Sequence, residues 1–113
     1  MRRGEVWWVN FEPSIGGETR KRRPAVIVSN DAANRYLNRV QVVPVTSTVS
    51  KLYPSEARVT VGRRQGKAMA DQIATVSKKR LLRRAGNVSP LEMRDVERAI
   101  RVQLGLSHAT GPA

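Results

Sequence analysis

The shortness of the apolar runs restricts this chain more than any other feature. Gly4–Phe11 (GEVWWVNF), Pro24–Ser29 (PAVIVS), Val40–Val45 (VQVVPV), Glu56–Val61 (EARVTV) and Gly66–Ala70 are β-rich, and each is eight residues or fewer. Segments rich in Gly, Pro, Ser and charge separate them. Runs of this length and composition form strands, and the punctuation between them forms turns and loops. Asp71–Val76 predicts another short strand, Asn30–Asn38 a turn with a short helical piece, and Lys78–Arg84 a short basic helix or turn. Pro44 lacks an N–H, so its strand end is expected at an edge or a bulge.

One stretch breaks the pattern. In Ser89-Pro90-Leu91-Glu92, Ser takes the N-cap, Pro the first helical position and Glu the third, which is a capping box. Met93, Val96, Ile100 and Leu104 then recur at spacings of three and four, and Gly105 ends the helix. Five or six short strands followed by one helix make a mainly β (α+β) domain, a small partly open barrel over residues 1–106. Residues 107–113 form a loose polar tail. A barrel this small fills its interior with side chains, so its chemistry must lie on the loops.

Val, Leu, Ile and Phe supply 27 of the 113 residues. That exceeds the roughly one-fifth below which high charge predicts disorder. The formal charge is +12 and the pI about 11.6, and the charge is clustered at Arg2-Arg3, Arg20-Lys21-Arg22-Arg23, Arg63-Arg64 and Lys78-Lys79-Arg80 with Arg83-Arg84. Arginine dominates, and its planar fork suits phosphate. The expected partner is a nucleic acid; a basic surface kept for solubility is the lesser reading. No apolar run approaches a membrane span, and the N-terminus has no signal-peptide core, so a cytoplasmic protein without a membrane partner is expected.

There is no cysteine, and the single histidine is His108 in the tail. Thiolate chemistry, a histidine triad and Cys/His metal sites are excluded, and neither cofactor nor metal is expected. The remaining candidates gather in two places. At Arg23-Pro24, proline fixes its own φ and holds Arg23 extended at a strand rim, where a guanidinium could stabilise transition-state charge. At Thr46-Ser47, two hydroxyls at a strand end could donate to a phosphate oxygen, although such residues commonly close local turns. Glu18 and Asp71 are carboxylates that could act as bases or pair with arginines. Tyr53, before Pro54, could stack on a base or pack half-buried. Trp7 and Trp8, adjacent in a strand, must face opposite sides, one in the core and one at an interface or under a ligand.

The ordered set GEVWWVNFEP, GGE, RPAVIVSND, VVPVTS, YP and ADQI resembles the MazF/PemK family of bacterial toxins from Arg3 to about Leu106. The resemblance implies an SH3-like barrel with a C-terminal helix, assembled as a homodimer. It implies a metal-independent, sequence-specific endoribonuclease acting on single-stranded mRNA. The 2′-hydroxyl attacks the adjacent phosphate, leaving 2′,3′-cyclic phosphate and 5′-hydroxyl ends. It assigns Arg23, Thr46, Glu18 and Asp71 as catalytic. Arg20, Lys21, Arg22, Ser47, Lys51, Tyr53 and Gln72 then fall in the RNA-binding surface. The implied partner is a cognate antitoxin with an acidic, disordered segment that blocks the RNA groove. The sequence departs from one branch of the family at Met69 and Gly17, where other members carry Arg and His. Three alternatives compete: a nonenzymatic basic nucleic-acid-binding module, a family member that has lost catalysis and acts as a decoy or repressor, which the intact Arg23 and Thr46 argue against, and a gyrase-inhibiting toxin of related fold.

Overall fold

The computed structural model describes residues 1–12 and 22–106. Seven strands and two helices follow one another as β1 (Glu5–Asn10), β2 (Arg22–Ile27), α1 (Asp31–Tyr36), β3 (Arg39–Thr46), β4 (Glu56–Val61), β5 (Arg64–Met69), β6 (Ala74–Ser77), β7 (Leu81–Asn87) and α2 (Pro90–Leu104). The strands run β4-β5-β3-β2-β1-β7 across one curled sheet, with β6 also paired to β3. Among the described residues these strand pairings are all antiparallel. Among the described residues no helix is long and apolar enough to cross a membrane.

Pro44 explains how one strand serves two halves of the sheet. The Val28 amide donates to the Gln41 carbonyl, so Gln41, Val43 and Val45 turn their backbone groups toward β2. The alternate residues Val40, Val42, Pro44 and Thr46 turn theirs to the other side. On that side β6 pairs with residues 39–42 and β5 with Val45 and Thr46. Pro44 falls in the gap between these two partners, where no ladder donor is required. It is therefore tolerated inside a central strand, not at an edge, and it marks where the sheet divides.

Two apolar layers lie on opposite faces. Val6, Val26, Val43 and Val45 meet Ala57, Val59 and Ala68 across the fold, with Met93, Val96 and Ala99 of α2 closing the layer. Val9, Ala25, Ile27, Val40, Val42, Val76 and Leu81 form the second layer, joined by Trp7 and Phe11. Most of these valines are fully buried, each contributing roughly 1.5–3 kcal/mol of transfer free energy. At the N-terminus of α2, Ser89 Oγ accepts from the Glu92 amide at 3.1 Å and Glu92 Oε1 accepts from the Ser89 amide at 2.9 Å, so both arms of the capping box are present. Gly105, at φ 68°, ends the helix in the left-handed conformation that glycine adopts without strain. The buried stripe runs through Met93, Val96 and Ala99 to the half-buried Ile100; Leu104 is 53% exposed and does not join it.

Two stretches differ from the sequence expectation. Lys78–Arg80 is one 3-10 turn, and the chain then becomes β7, not a helix. Bulges in the β1–β7 ladder between Val6 and Trp7 and between Trp8 and Val9 break its alternation. As a terminal strand with Arg83 and Arg84, it carries the charge that keeps sheet edges from pairing further. That charge hides a strand in the sequence. Likewise Asp71 lies in a 3-10 turn, Ala70–Gln72, and the strand that follows is only Ala74–Ser77.

Candidate functional site

The start of β2, the end of β3, the start of β5 and the middle of β1 and β7 meet at one mouth of the barrel. They enclose an open groove of about 680 Å³. Arg22, Arg23, Arg64, Arg83 and Arg84 line it, and none of its lining residues is a carboxylate. Five like charges around a concave surface set up a positive potential that attracts and retains a polyanion.

Trp8 forms one wall. It stands between Pro24 on β2 and Arg83 on β7 in the strand register, and the Arg83 guanidinium lies 5.5 Å above its ring. Trp7 faces the other way, packs on the second apolar layer and donates its indole N–H to Glu5 Oε1 at 2.9 Å. The pair thus divides as strand geometry requires, one into the core and one into the groove. Burial pushes the Glu5 carboxyl up, but the Trp7 indole, the Arg2 amide and the neighbouring cations outweigh it and hold the group below the ordinary glutamate range.

Arg23 and Thr46 come together through register. Ala25 pairs with Pro44 across β2 and β3. The ladder ends at that pair, so the start of β2 with Arg23 and the end of β3 with Thr46 extend past it on either side of the groove. Both line the groove with Ser47. Thr46 Oγ1 accepts the Thr48 amide at 3.4 Å. The local turn bond and a role toward a ligand are therefore compatible, because a hydroxyl that accepts one bond still has its proton to donate. Gly66 completes this corner: a Cβ placed on it would lie 2.8 Å from the Thr46 carbonyl oxygen.

Behind Thr46 is a buried ion pair. Thr46 pairs with Lys67, and Lys67 with Arg58. The Lys67 ammonium lies 2.9 Å from Glu56 Oε1, and both side chains are buried. Glu56 also accepts the Tyr53 amide at 2.9 Å. Burial pushes its carboxyl up, yet the Tyr53 amide and the Lys67 ammonium prevail and hold it below the usual range.

Of the sequence-derived candidates, Arg22, Arg23, Thr46 and Ser47 lie in the groove. Lys51 and Tyr53 are on the loop behind it, linked through Lys67. Asp71 and Gln72 sit in the turn at the opposite end of β5 and do not line the groove; Gln72 Nε2 donates to Met69 Sδ. Glu18, Arg20 and Lys21 lie outside the described residues, as does His108.

The sequence reading did not place Arg64, Gln65, Gly66, Arg83 or Arg84 at the site. The arginine doublets were the signal available for three of these. The basic runs are not equivalent, however. Arg3 pairs with Glu97 at 2.8 Å and donates to the Val28 carbonyl. Lys78 donates to the Asn34 carbonyl, and Arg80 to the carbonyls of Asn10 and Glu12. These cations fasten the fold internally.

The chain and its fold have counterparts among known proteins. Residues 2–104 match the family described as PemK-like, MazF-like toxin of type II toxin-antitoxin system. The chain is 42% identical over 115 residues to endoribonuclease MazF9 of Mycobacterium tuberculosis, an alignment covering 94% of this chain and 98% of that one. It is 35% identical over 103 residues to the endoribonuclease toxin MazF of Escherichia coli, covering 90% and 92%. A solved mycobacterial endoribonuclease in complex with its cognate antitoxin superposes with a TM-score of 0.80 at 28% identity, over 96% of this chain and 98% of that chain.

Proposed function

The chain belongs to the PemK-like, MazF-like toxins of type II toxin–antitoxin systems, and from that premise we propose that it is an endoribonuclease cutting single-stranded mRNA at Arg23 and Thr46. The observation that carries the reading is the groove itself. It sets a half-buried arginine and a threonine hydroxyl on facing strands, inside a ring of arginines with an aromatic wall. Such a surface suits a flexible polyanion with exposed bases better than a small neutral substrate.

The proposed reaction is transesterification. The ribose 2′-oxygen attacks the adjacent phosphorus, and the bond from phosphorus to the 5′-oxygen breaks. The products are a 2′,3′-cyclic phosphate and a 5′-hydroxyl. Arg23 neutralises the dianionic phosphorane and passes a proton to the leaving 5′-oxygen. Thr46 donates a hydrogen bond to a nonbridging oxygen. Stabilisers of this kind each contribute on the order of 3–4 kcal/mol to the barrier. Arginine provides the cation at phosphorus, so the reaction proceeds without a metal. An arginine is a poor base near neutral pH, so a carboxylate takes the 2′-hydroxyl proton. Asp71 stands at the far end of β5. We therefore assign this role to Glu18, four residues ahead of Arg22 in the sequence, and give Asp71 and Gln72 an outer place on the RNA path.

Arg20, Lys21, Arg22 and Ser47 hold the RNA backbone on either side of the scissile bond. The active form is a homodimer acting in the cytoplasm. Its inhibitor is an antitoxin whose acidic, disordered segment orders in the same groove.

The deciding experiment is cleavage of a long unstructured RNA in EDTA by the wild-type protein beside Arg23→Ala. Discrete fragments with 5′-hydroxyl ends, absent with the variant, establish the activity and give the cleaved sequence. RNA that stays intact but binds in a salt-sensitive way establishes instead a nonenzymatic module. Intact RNA together with inhibited gyrase supercoiling points to the gyrase-directed alternative.

A further inference from the structure

The loop between β3 and β4, residues 47–55, carries few apolar side chains, yet it is fastened at three points and at the first residue of β4. Lys67 Nζ donates to the Lys51 carbonyl at 2.6 Å. The Tyr53 amide donates to Glu56 Oε1 at 2.9 Å. From α2, Arg98 donates to the Pro54 and Glu56 carbonyls, each at 2.9 Å. Lys67 has the central position. It comes from β5, it is the register partner of Thr46, and its buried charge is neutralised by Glu56. A buried ammonium is costly unless paired and fully hydrogen-bonded. A methionine or leucine would fill the same space more cheaply, so packing alone does not call for a lysine here.

The loop presents one aromatic ring. Tyr53 is 52% exposed, and two ammoniums lie against its ring, Lys51 at 5.4 Å and Lys67 at 5.5 Å. A ring held by its own backbone amide and by two cations is pre-organised, and a half-exposed aromatic ring on the loop that follows Thr46 and Ser47 is a stacking platform for a base.

We propose that Lys67 is a positioning residue for substrate selection: through Glu56 and the Lys51 carbonyl it holds Tyr53 as a stacking shelf for one base next to the phosphate bound at Thr46. This rests on the RNA-cleavage reading above. Lys67 reaches the RNA through the loop, and the shelf determines which base is accepted at that position.

The test is cleavage of an unstructured RNA carrying all tetranucleotide sequences, with every fragment end mapped, by wild type, Lys67→Met, Lys67→Arg and Tyr53→Ala. Lys67→Met is expected to raise KM by roughly ten- to a hundredfold, the range that one base–aromatic stack supports. Its kcat should fall far less, and its fragment map should broaden at one position beside the cut. Tyr53→Ala should broaden the same position, and Lys67→Arg should restore selection in part. A general loss of packing would instead lower cleavage at all sites together. An active wild type whose Lys67→Met and Tyr53→Ala forms keep its KM and fragment map overturns the proposal alone. A wild type that cleaves no RNA overturns the cleavage reading, and the proposal with it. Should Lys67→Met melt below the assay temperature, Tyr53→Ala decides the question, because its half-exposed ring is not part of either apolar layer.

Discussion

Gly66 is pressed against Thr46: a methyl group built on Gly66 would lie 2.8 Å from the Thr46 carbonyl oxygen and 2.8 Å from Val45 Cγ1. One contact is with backbone and cannot rotate away. Gly66→Ala should therefore push β5 from β3 at the residue proposed to hold the phosphate. Overpacking of this kind costs on the order of 1–3 kcal/mol. Urea denaturation should show that loss, and single-turnover cleavage at a temperature where the variant is folded should show a further decrease in rate. Unchanged stability and rate would mean that the strands separate there without consequence.

Thr46→Val replaces the hydroxyl with a methyl of similar size. Cleavage at saturating RNA should fall by about 10²- to 10³-fold, whereas Thr46→Ser should keep most of the rate. The thermal midpoint should move little in either case, since the side chain's own bond is a 3.4 Å contact to the Thr48 amide. A Thr46→Val protein with full activity removes the threonine from the chemistry.

The basic residues should separate into two classes in a salt titration. Binding of a non-cleavable oligonucleotide should weaken linearly in log–log salt, with a slope of about −0.7 per phosphate contact. Arg64→Ala and Arg84→Ala should each flatten that slope, because both side chains line the groove. Lys78→Ala should leave the slope alone and lower stability, because its ammonium is bound to the Asn34 carbonyl. Equal effects from all three would mean that charge counts and position does not.

The two tryptophans offer an optical test. Trp8 lies in the groove under Arg83, and Trp7 packs on the second apolar layer. In Trp7→Phe, the remaining fluorescence should respond to RNA; in Trp8→Phe it should not. Trp8→Ala should weaken RNA binding by about tenfold, as expected for one lost stacking face.

Glu56 predicts a pH dependence of stability. Its carboxyl is held below the ordinary glutamate range in the folded protein. A carboxyl whose folded pKa is depressed contributes stability that is fully present above its unfolded pKa. That contribution is lost as pH falls through the folded value. Wild-type stability should therefore hold from neutral pH to just above the ordinary glutamate range and decline below it. Glu56→Gln should be less stable at neutral pH and lose less on acidification. Parallel urea midpoints for the two proteins across that range would contradict this assignment.

Local patterns in the chain settled much of the architecture. The capping box at Ser89, the stripe through Met93 and Val96, and the stop at Gly105 are interactions within a few residues, so spacing alone reveals them. The valine-rich runs announce β2, β3 and β4 for the same reason, and neighbouring tryptophans on a strand must part. Pro24 holds Arg23 extended through a purely local restriction on the backbone. The residues that surround Arg23 and Thr46 were decided at longer range. Arg64 and Arg84 are twenty residues apart in the chain and line one groove because β5 and β7 both come to the same mouth of the barrel. Pro44 reads as an edge residue until β6 and β5 are seen to share one side of β3. Lys67 and Glu56 look like two ordinary surface charges until a diagonal pairing across β4 and β5 buries them together. Register between distant strands is a property of the closed sheet, and no local pattern encodes which charges it will neutralise and which it will leave facing the groove.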